Sequence, residues 1–212
     1  SSVMPLAPNV ALFLAKQGSG IETIEDLRGK RVVVGPAGAG FEFFLKPILA
    51  AHGVTYDDFT ALPAGTQAST VDLLADGAAD AVFLGGAVPT ASITQAATSM
   101  DLVFVPYDET AMEELSARYP FFQRATIPAG TYKGLTEDYQ GLDVGSMHLV
   151  AAEDAPEDLV YQVTRTLYEN REKVVEKHPA GRAITPGNVV RDVGTPFHPG
   201  AERYYREIGI WP

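Results

Sequence analysis

The segment from Gly29 to Leu49, GKRVVVGPAGAGFEFFLKPIL, decides the fold. Arg31 to Val34 has the uninterrupted apolar centre of a strand covered on both faces. Gly35, Pro36, Gly38 and Gly40 then make a turn that neither a strand nor a helix accommodates. From Phe41 an amphipathic helical pattern runs to His52, and Gly53 stops it. Strand, glycine turn and helix in direct succession make half of an α/β unit.

The same alternation continues on both sides. Val10 to Ala15 reads as a strand and Ile21 to Leu27 as a short helix closed by Gly29. Downstream come a weak strand, Phe59 to Leu62, a helix from Thr66 to Asp76 ended by Gly77, and a buried strand, Ala81 to Leu84. A helix from about Thr90 to Ala97, a strand from Leu102 to Pro106, a helix from Glu109 to Tyr119 and a strand from Arg124 to Ile127 follow. Val144 to Ala151 reads as a further strand. Pro156 opens the longest helix, expected to reach about Lys177, with Leu159, Val160, Val163, Leu167, Val174 and Val175 along one side. Glu157 and Asp158 near its start and Lys173, Lys177 and His178 near its end carry the signs that a helix dipole favours. One more helix is expected at about Gly200 to Ile208.

Between Arg31 and Pro128 the strands suffice for a doubly wound lobe. Outside that span only Val10 to Ala15 and Val144 to Ala151 remain, with three or four helices. Two strands cannot cover so many apolar helix faces. That part therefore borrows strands from another chain, or a preceding segment completes it.

Composition removes several function classes. The 212 residues carry a formal charge of −11, so the electrostatic attraction that drives binding to phosphate backbones is reversed, and nucleic acid is excluded as a partner. The absence of cysteine rules out disulfides, thiolate metal sites and thiol nucleophiles. No apolar run is long enough to span a bilayer. Ser1 to Pro8 lacks the features of a signal peptide, which leaves a leader already removed or a chain that starts downstream of one.

The glycine turns remain as candidate sites. A strand that ends in glycines and feeds a helix presents unpaired N–H groups and the positive end of the helix dipole at the carboxyl edge of the sheet, where anions are held. The order Gly35-Pro36-Ala37-Gly38-Ala39-Gly40-Phe41 lacks the Lys-Ser/Thr of a P-loop, and its spacing is not that of a dinucleotide fingerprint. A second turn, Gly85-Gly86-Ala87-Val88-Pro89-Thr90-Ala91-Ser92, repeats the design. In a parallel sheet both turns lie at one edge, joined by Ala64-Gly65-Thr66, and such a crevice suits a small carboxylate. Signs of catalysis are few. There is no Gly-x-Ser-x-Gly elbow, and His52, His148, His178 and His198 have no metal-ligand spacing, so no metal and no cofactor are expected. Asp57-Asp58 and Glu113-Glu114 read as solvated faces, and Tyr204, Tyr205 and Trp211 as packing residues.

Five segments, DLRGKRVVVGPAGAG, LLADGAADAVFLGGAVPTASIT, RYPFFQRATIPAGTYKG, APEDLVYQVTRTLYEN and TPFHPGAERYYREIGI, resemble in order and spacing the TAXI family of solute-binding proteins. These are extracytoplasmic receptors of TRAP transporters, and the resemblance runs from about Ile21 to Ile210. It implies a type II periplasmic-binding-protein fold, α/β with two doubly wound lobes that close on a ligand. Residues 31–129 would form the complete lobe. Residues 1–30 and 130–212 would form the returning part of the other, incomplete in this chain and able to pair two copies into a non-native dimer. Family chains normally begin with an earlier segment, so the resemblance implies a truncated or processed chain.

Carried over, the first ligand turn is Gly38, Ala39, Gly40 and Phe41, followed by Glu42. The second is Gly85, Gly86, Pro89, Thr90 and Ala91. Thr131 and Tyr132 sit where the chain returns between lobes and could face the cleft. Ala39 and Phe41 replace the two hydroxyl residues usual in the family, which keeps backbone donors, removes side-chain ones and favours a more apolar acid over the family's dicarboxylates and acidic or amidic amino acids. The implied role is a noncatalytic periplasmic carrier, binding a small carboxylate and delivering it to a TRAP membrane permease. The alternatives are an α/β enzyme on the same lobes, with Lys46 or Lys133 as its lysine, and a ligand-sensing receptor coupled to a signalling partner.

Overall fold

A computed structural model describes residues 1–35 and 40–212. Among the described residues seven strands form one mixed sheet: β1 (Ser2–Lys16), β2 (Arg31–Val33), β3 (Thr60–Leu62), β4 (Ala81–Gly86), β5 (Leu102–Val105), β6 (Gln123–Ile127) and β7 (Tyr139–Val150). Their order is β3-β2-β4-β1-β7-β6, with β5 also paired to β1. By compactness the chain divides into residues 10–145 and a second unit of residues 1–9 with 146–212, so β1 and β7 contribute to both.

In the unit of residues 10–145, β2 runs parallel to β3 (Arg31↔Thr60, Val33↔Leu62) and to β4 (Val32↔Ala81, Val33↔Val82). The second half of β1 is antiparallel to β4 (Val10↔Gly86 to Ala15↔Ala81) and to β5 (Phe13↔Val105 to Lys16↔Leu102). β6 and β7 are antiparallel, Gln123↔Asp143 to Ile127↔Tyr139. Every residue of Ala81–Gly86 is buried, as are Val10 to Ala15. Such runs lack alternation because both faces are covered. The covering helices are α1 (Phe41–Ala51), α2 (Gln67–Ala75), α3 (Ala91–Ser99) and α4 (Glu109–Arg118). Phe13, Phe83, Tyr107 and Tyr139 lie in one core beneath them. Two tyrosine hydroxyls are satisfied within it: Tyr107 donates to Ala11 O (3.0 Å) and Tyr139 to Val105 O (2.8 Å).

The other unit contains α5 (Glu157–Glu169), α6 (Arg171–Lys177), α7 (Pro186–Val189) and α8 (Pro199–Glu207). Val3 and Met4 of β1 pack with Val160, Tyr161, Tyr168, Tyr204 and Tyr205. The Tyr205 hydroxyl donates to Val3 O at 3.0 Å. α5 and α8 approach so closely that a Cβ on Gly200 would collide with the Glu157 carbonyl and lie 2.8 Å from the Tyr161 nitrogen. The buried face of α5 is Val160, Tyr161, Thr164 and Tyr168. A second apolar stripe on it stays open, with Leu159 57% and Val163 42% exposed.

Four local readings change. β1 begins at Ser2 rather than Val10, because Pro5 and Pro8 conceal the extended run; proline donates nothing to a ladder but is tolerated where no N–H is required. β7 begins at Tyr139 rather than Val144, through a glycine that reads as a breaker. A Cβ on Gly141 would lie 3.0 Å from Val10 Cγ1, so the close approach of β1 requires that glycine. The helix expected to run to Lys177 is two helices, α5 and α6, interrupted at Asn170, whose side-chain amide donates to Thr166 O at 2.8 Å. The helix expected over Ile21 to Leu27 is a single 3-10 turn, Glu25–Leu27. The strands between Arg31 and Pro128 are also not self-sufficient, since residues 10–16 of β1 occupy the position beside β4 and β5.

Candidate functional site

The parallel pairing of β2 with β3 and β4 sends all three strands out at the same edge. Val34 N donates to Leu62 O (3.1 Å) and Ala64 N to Gly35 O (3.4 Å), which fastens the first turn to the one after β3. Gly38 and Ala39, the centre of the first candidate turn, lie outside the described residues. Gly40 is exposed and is the N-cap of α1, with no side-chain cap. Gly35 has a φ of +88°, and a Cβ there would lie 3.2 Å from the Phe41 ring, so conformation and contact both require glycine.

Phe41 was expected to add apolar bulk to the ligand turn. Its ring packs instead against Phe44 (5.5 Å between centroids) and Phe83 (6.2 Å). Glu42 pairs with Lys46 at 2.8 Å, one helical turn away on the surface. The exposed aromatic of α1 is Phe43, at 84%.

The second turn is bound on three sides. Gly85 and Gly86 close β4 and are buried. A Cβ on Gly86 would lie 3.2 Å from Thr90 Oγ1, so the strand end and the helix start are close-packed. The Gln67 side chain, at the first position of α2, donates from Nε2 to Gly85 O (2.6 Å), and its Oε1 accepts from Ser92 Oγ (2.8 Å). Thr90 Oγ1 donates to Ala87 O at 3.1 Å. The Thr90 N–H donates to the Tyr132 hydroxyl at 2.8 Å. Tyr132 is 2% exposed and stacks on Phe104, so it supports the turn from within the core rather than lying open. Thr131 donates its hydroxyl to Pro128 O (2.7 Å). Pro89 and Ala91 flank Thr90, Pro89 half-buried after a cis peptide bond and Ala91 exposed.

The helix starts differ in what they leave unspent. On α2, Thr66 and Ser69 cap one another, each side chain serving the other's backbone N–H. α3 has neither a side-chain cap nor an acidic residue in its first turn. Its N–H groups and dipole are therefore uncompensated, which is an environment for negative charge. The sequence reading identified the glycines and Thr90. It included Ser92 in the second turn but missed Gln67, which the Thr66-Gln67-Ala68-Ser69 pattern of a helix start could have marked.

His52 contacts Ile48 O through Nδ1 (2.8 Å) and accepts the Asp108 N–H at Nε2 (3.0 Å), which makes the Nδ1–H form the bound one. His178 and His198 accept from Ala180 N and Gly200 N at helical starts. No helix among the described residues is long and apolar enough to cross a membrane.

The chain is thus an α/β protein whose glycine-ended parallel strands open at one edge. Residues 1–209 match the NMT1-like family, and the chain belongs to it. It is similar to a structure described as the periplasmic sulfonate-binding protein of an ABC transporter from Methylobacillus flagellatus KT (14% identity, TM-score 0.49, 100% of this chain and 62% of that one). It is also similar to an amino acid ABC transporter substrate-binding protein from Streptococcus pneumoniae Canada MDR_19A bound to L-arginine (14%, TM-score 0.44, 87% and 62%). A histidine kinase sensor domain with similarity to periplasmic binding proteins shows 19% identity and a TM-score of 0.41 over 87% of this chain and 60% of that one. The chain therefore spans about three fifths of the length of these proteins.

Proposed function

We propose that the chain is the ligand-holding part of an extracytoplasmic solute receptor of the periplasmic-binding-protein type. It binds a small carboxylate at the carboxyl edge of β2, β3 and β4, and passes it to a membrane permease without chemical change. The supporting observation is the gathering of the starts of α1, α2 and α3 at one edge, with α1 and α3 left without side-chain caps. The first-turn N–H groups and the dipole of α3, with no acidic residue beside them, favour an acid group without any need for a lysine or arginine. Candidate lysines for an enzyme are poorly placed, since Lys46 is in a surface ion pair and Lys133 is exposed. The sequence resemblance to TAXI receptors points to a TRAP permease and a periplasmic location.

Calorimetric titration of the chain with a panel of L-amino acids, 2-oxo acids and aromatic carboxylates tests this. Saturable heat and a thermal shift with one class are expected. Silence across the whole panel would contradict the proposal.

A further inference from the structure

We propose that the open side of α5 and α6 is a self-association face, on which a second copy of the chain docks antiparallel across a twofold axis. The inner side of α5 is taken up by Val160, Tyr161, Thr164 and Tyr168. Its outer side repeats apolar residues at helical spacing, Leu159, Val163 and Leu167, and Val174 continues the run on α6. Leu159 and Val163 stand 57% and 42% exposed. Where the helix breaks at Asn170, Val163, Leu167 and Val174 line a groove of about 680 Å³, flanked by Lys173 and Lys177.

The shape of the groove selects its occupant. Its walls come from two consecutive helices alone, so it is too open to enclose a small molecule, which a binding pocket buries over most of its surface. What fits is another helix that lays an apolar ridge into it. Leu159 and Val163, just ahead of the groove, form such a ridge. One stretch therefore carries both halves of the fit, as an isologous twofold contact requires.

Charge sets the direction. Glu153 and Asp154 precede α5, and Lys173 and Lys177 lie towards the end of α6; all four are exposed and, among the described residues, in no ion pair. Asp154 and Lys177 are about equally far on either side of Thr166. Antiparallel copies that cross near Thr166 thus set each acidic start against the other's basic end, whereas parallel copies would oppose like charges. From Leu159 to Lys177 the face is at most about 28 Å long and about 10 Å wide, less than the ~800 Å² that each partner gives to a standard interface, so the dimer is weak and concentration-dependent.

The test is sedimentation equilibrium of the whole chain from about 10 µM to about 1 mM, over which the mass should rise from one copy towards two. Val163→Glu, at an exposed position where a thermal melt should stay unchanged, is expected to weaken the pairing at least about tenfold. Lys177→Glu should weaken it as well, and adding Asp154→Lys should recover that loss, because the swap restores opposite charges across the axis. A chain that stays monomeric throughout, which would leave the groove to a different partner, overturns the inference. So does a dimer indifferent to Val163→Glu, or a double variant no tighter than Lys177→Glu alone.

Discussion

Replacing Tyr132 by phenylalanine deletes a single oxygen and keeps the ring. The ring lies 5.8 Å from Phe104 at 19°, and that stack survives the change. What is lost is the acceptor for the Thr90 N–H, at 2.8 Å, in a pair whose members are 2% and 9% exposed. A buried amide left without a partner costs about 1–3 kcal/mol. Taking about 2 kcal/mol, and about 2–4 °C per kcal/mol for a chain of this size, Tyr132→Phe should lower the melting temperature by about 4–8 °C. Circular dichroism melts would measure it, with urea unfolding to confirm that the slope is unchanged. Because Thr90 is the N-cap of α3, amide exchange at Thr90 and at Thr94, whose N–H donates to Thr90 O, should also accelerate. A melting temperature within about 1 °C of the unaltered chain would refute the reasoning, since no lost bond of this kind is that small.

Gly200→Ala forces a methyl group against backbone atoms of α5 that cannot yield, and should destabilise by about 3 kcal/mol. The control is Gly187→Ala, where a Cβ meets nothing within 4 Å and urea midpoints should barely move. Asp80 accepts from the Arg31 guanidinium and backbone N–H, bonds that hold its carboxyl below the usual range. A depressed folded value gives stability that is present above pH ~4 and lost as pH falls through the lower folded value. The gap in melting temperature between the unaltered chain and Asp80→Asn should therefore be open at neutral pH and close in acid. Burial pushes the Tyr56 hydroxyl up to about 12, and raises Tyr107, Tyr139 and Tyr205 as well. Raised folded values give stability that is complete below pH ~10 and lost as pH climbs through them. Tyrosinate absorbance from these four should thus appear only together with unfolding. Full ionisation of the tyrosines while circular dichroism still reports the folded chain would contradict that.

All seven strands are legible in the sequence because buried runs such as Val32 to Val34 and Ala81 to Leu84 are set by local composition. Ends are less legible. Pro5 and Pro8 hide the start of β1, and Gly141 hides that of β7, since the reasons for those residues lie on neighbouring strands. The two glycine turns of the candidate site stand out by composition. Their supports do not, because the bonds from Tyr132 to Thr90 and from Gln67 to Gly85 span 42 and 18 residues. The inward turn of Phe41 is equally invisible, because it depends on Phe83 of β4.

The most direct measurement is a titration of the 15N-labelled chain with a bound carboxylate, followed amide by amide in solution. Saturable shifts should concentrate at Gly40 to Phe41 and at Ala91 to Ile93, the open starts of α1 and α3. Shifts that saturate elsewhere while these amides stay still would contradict the account.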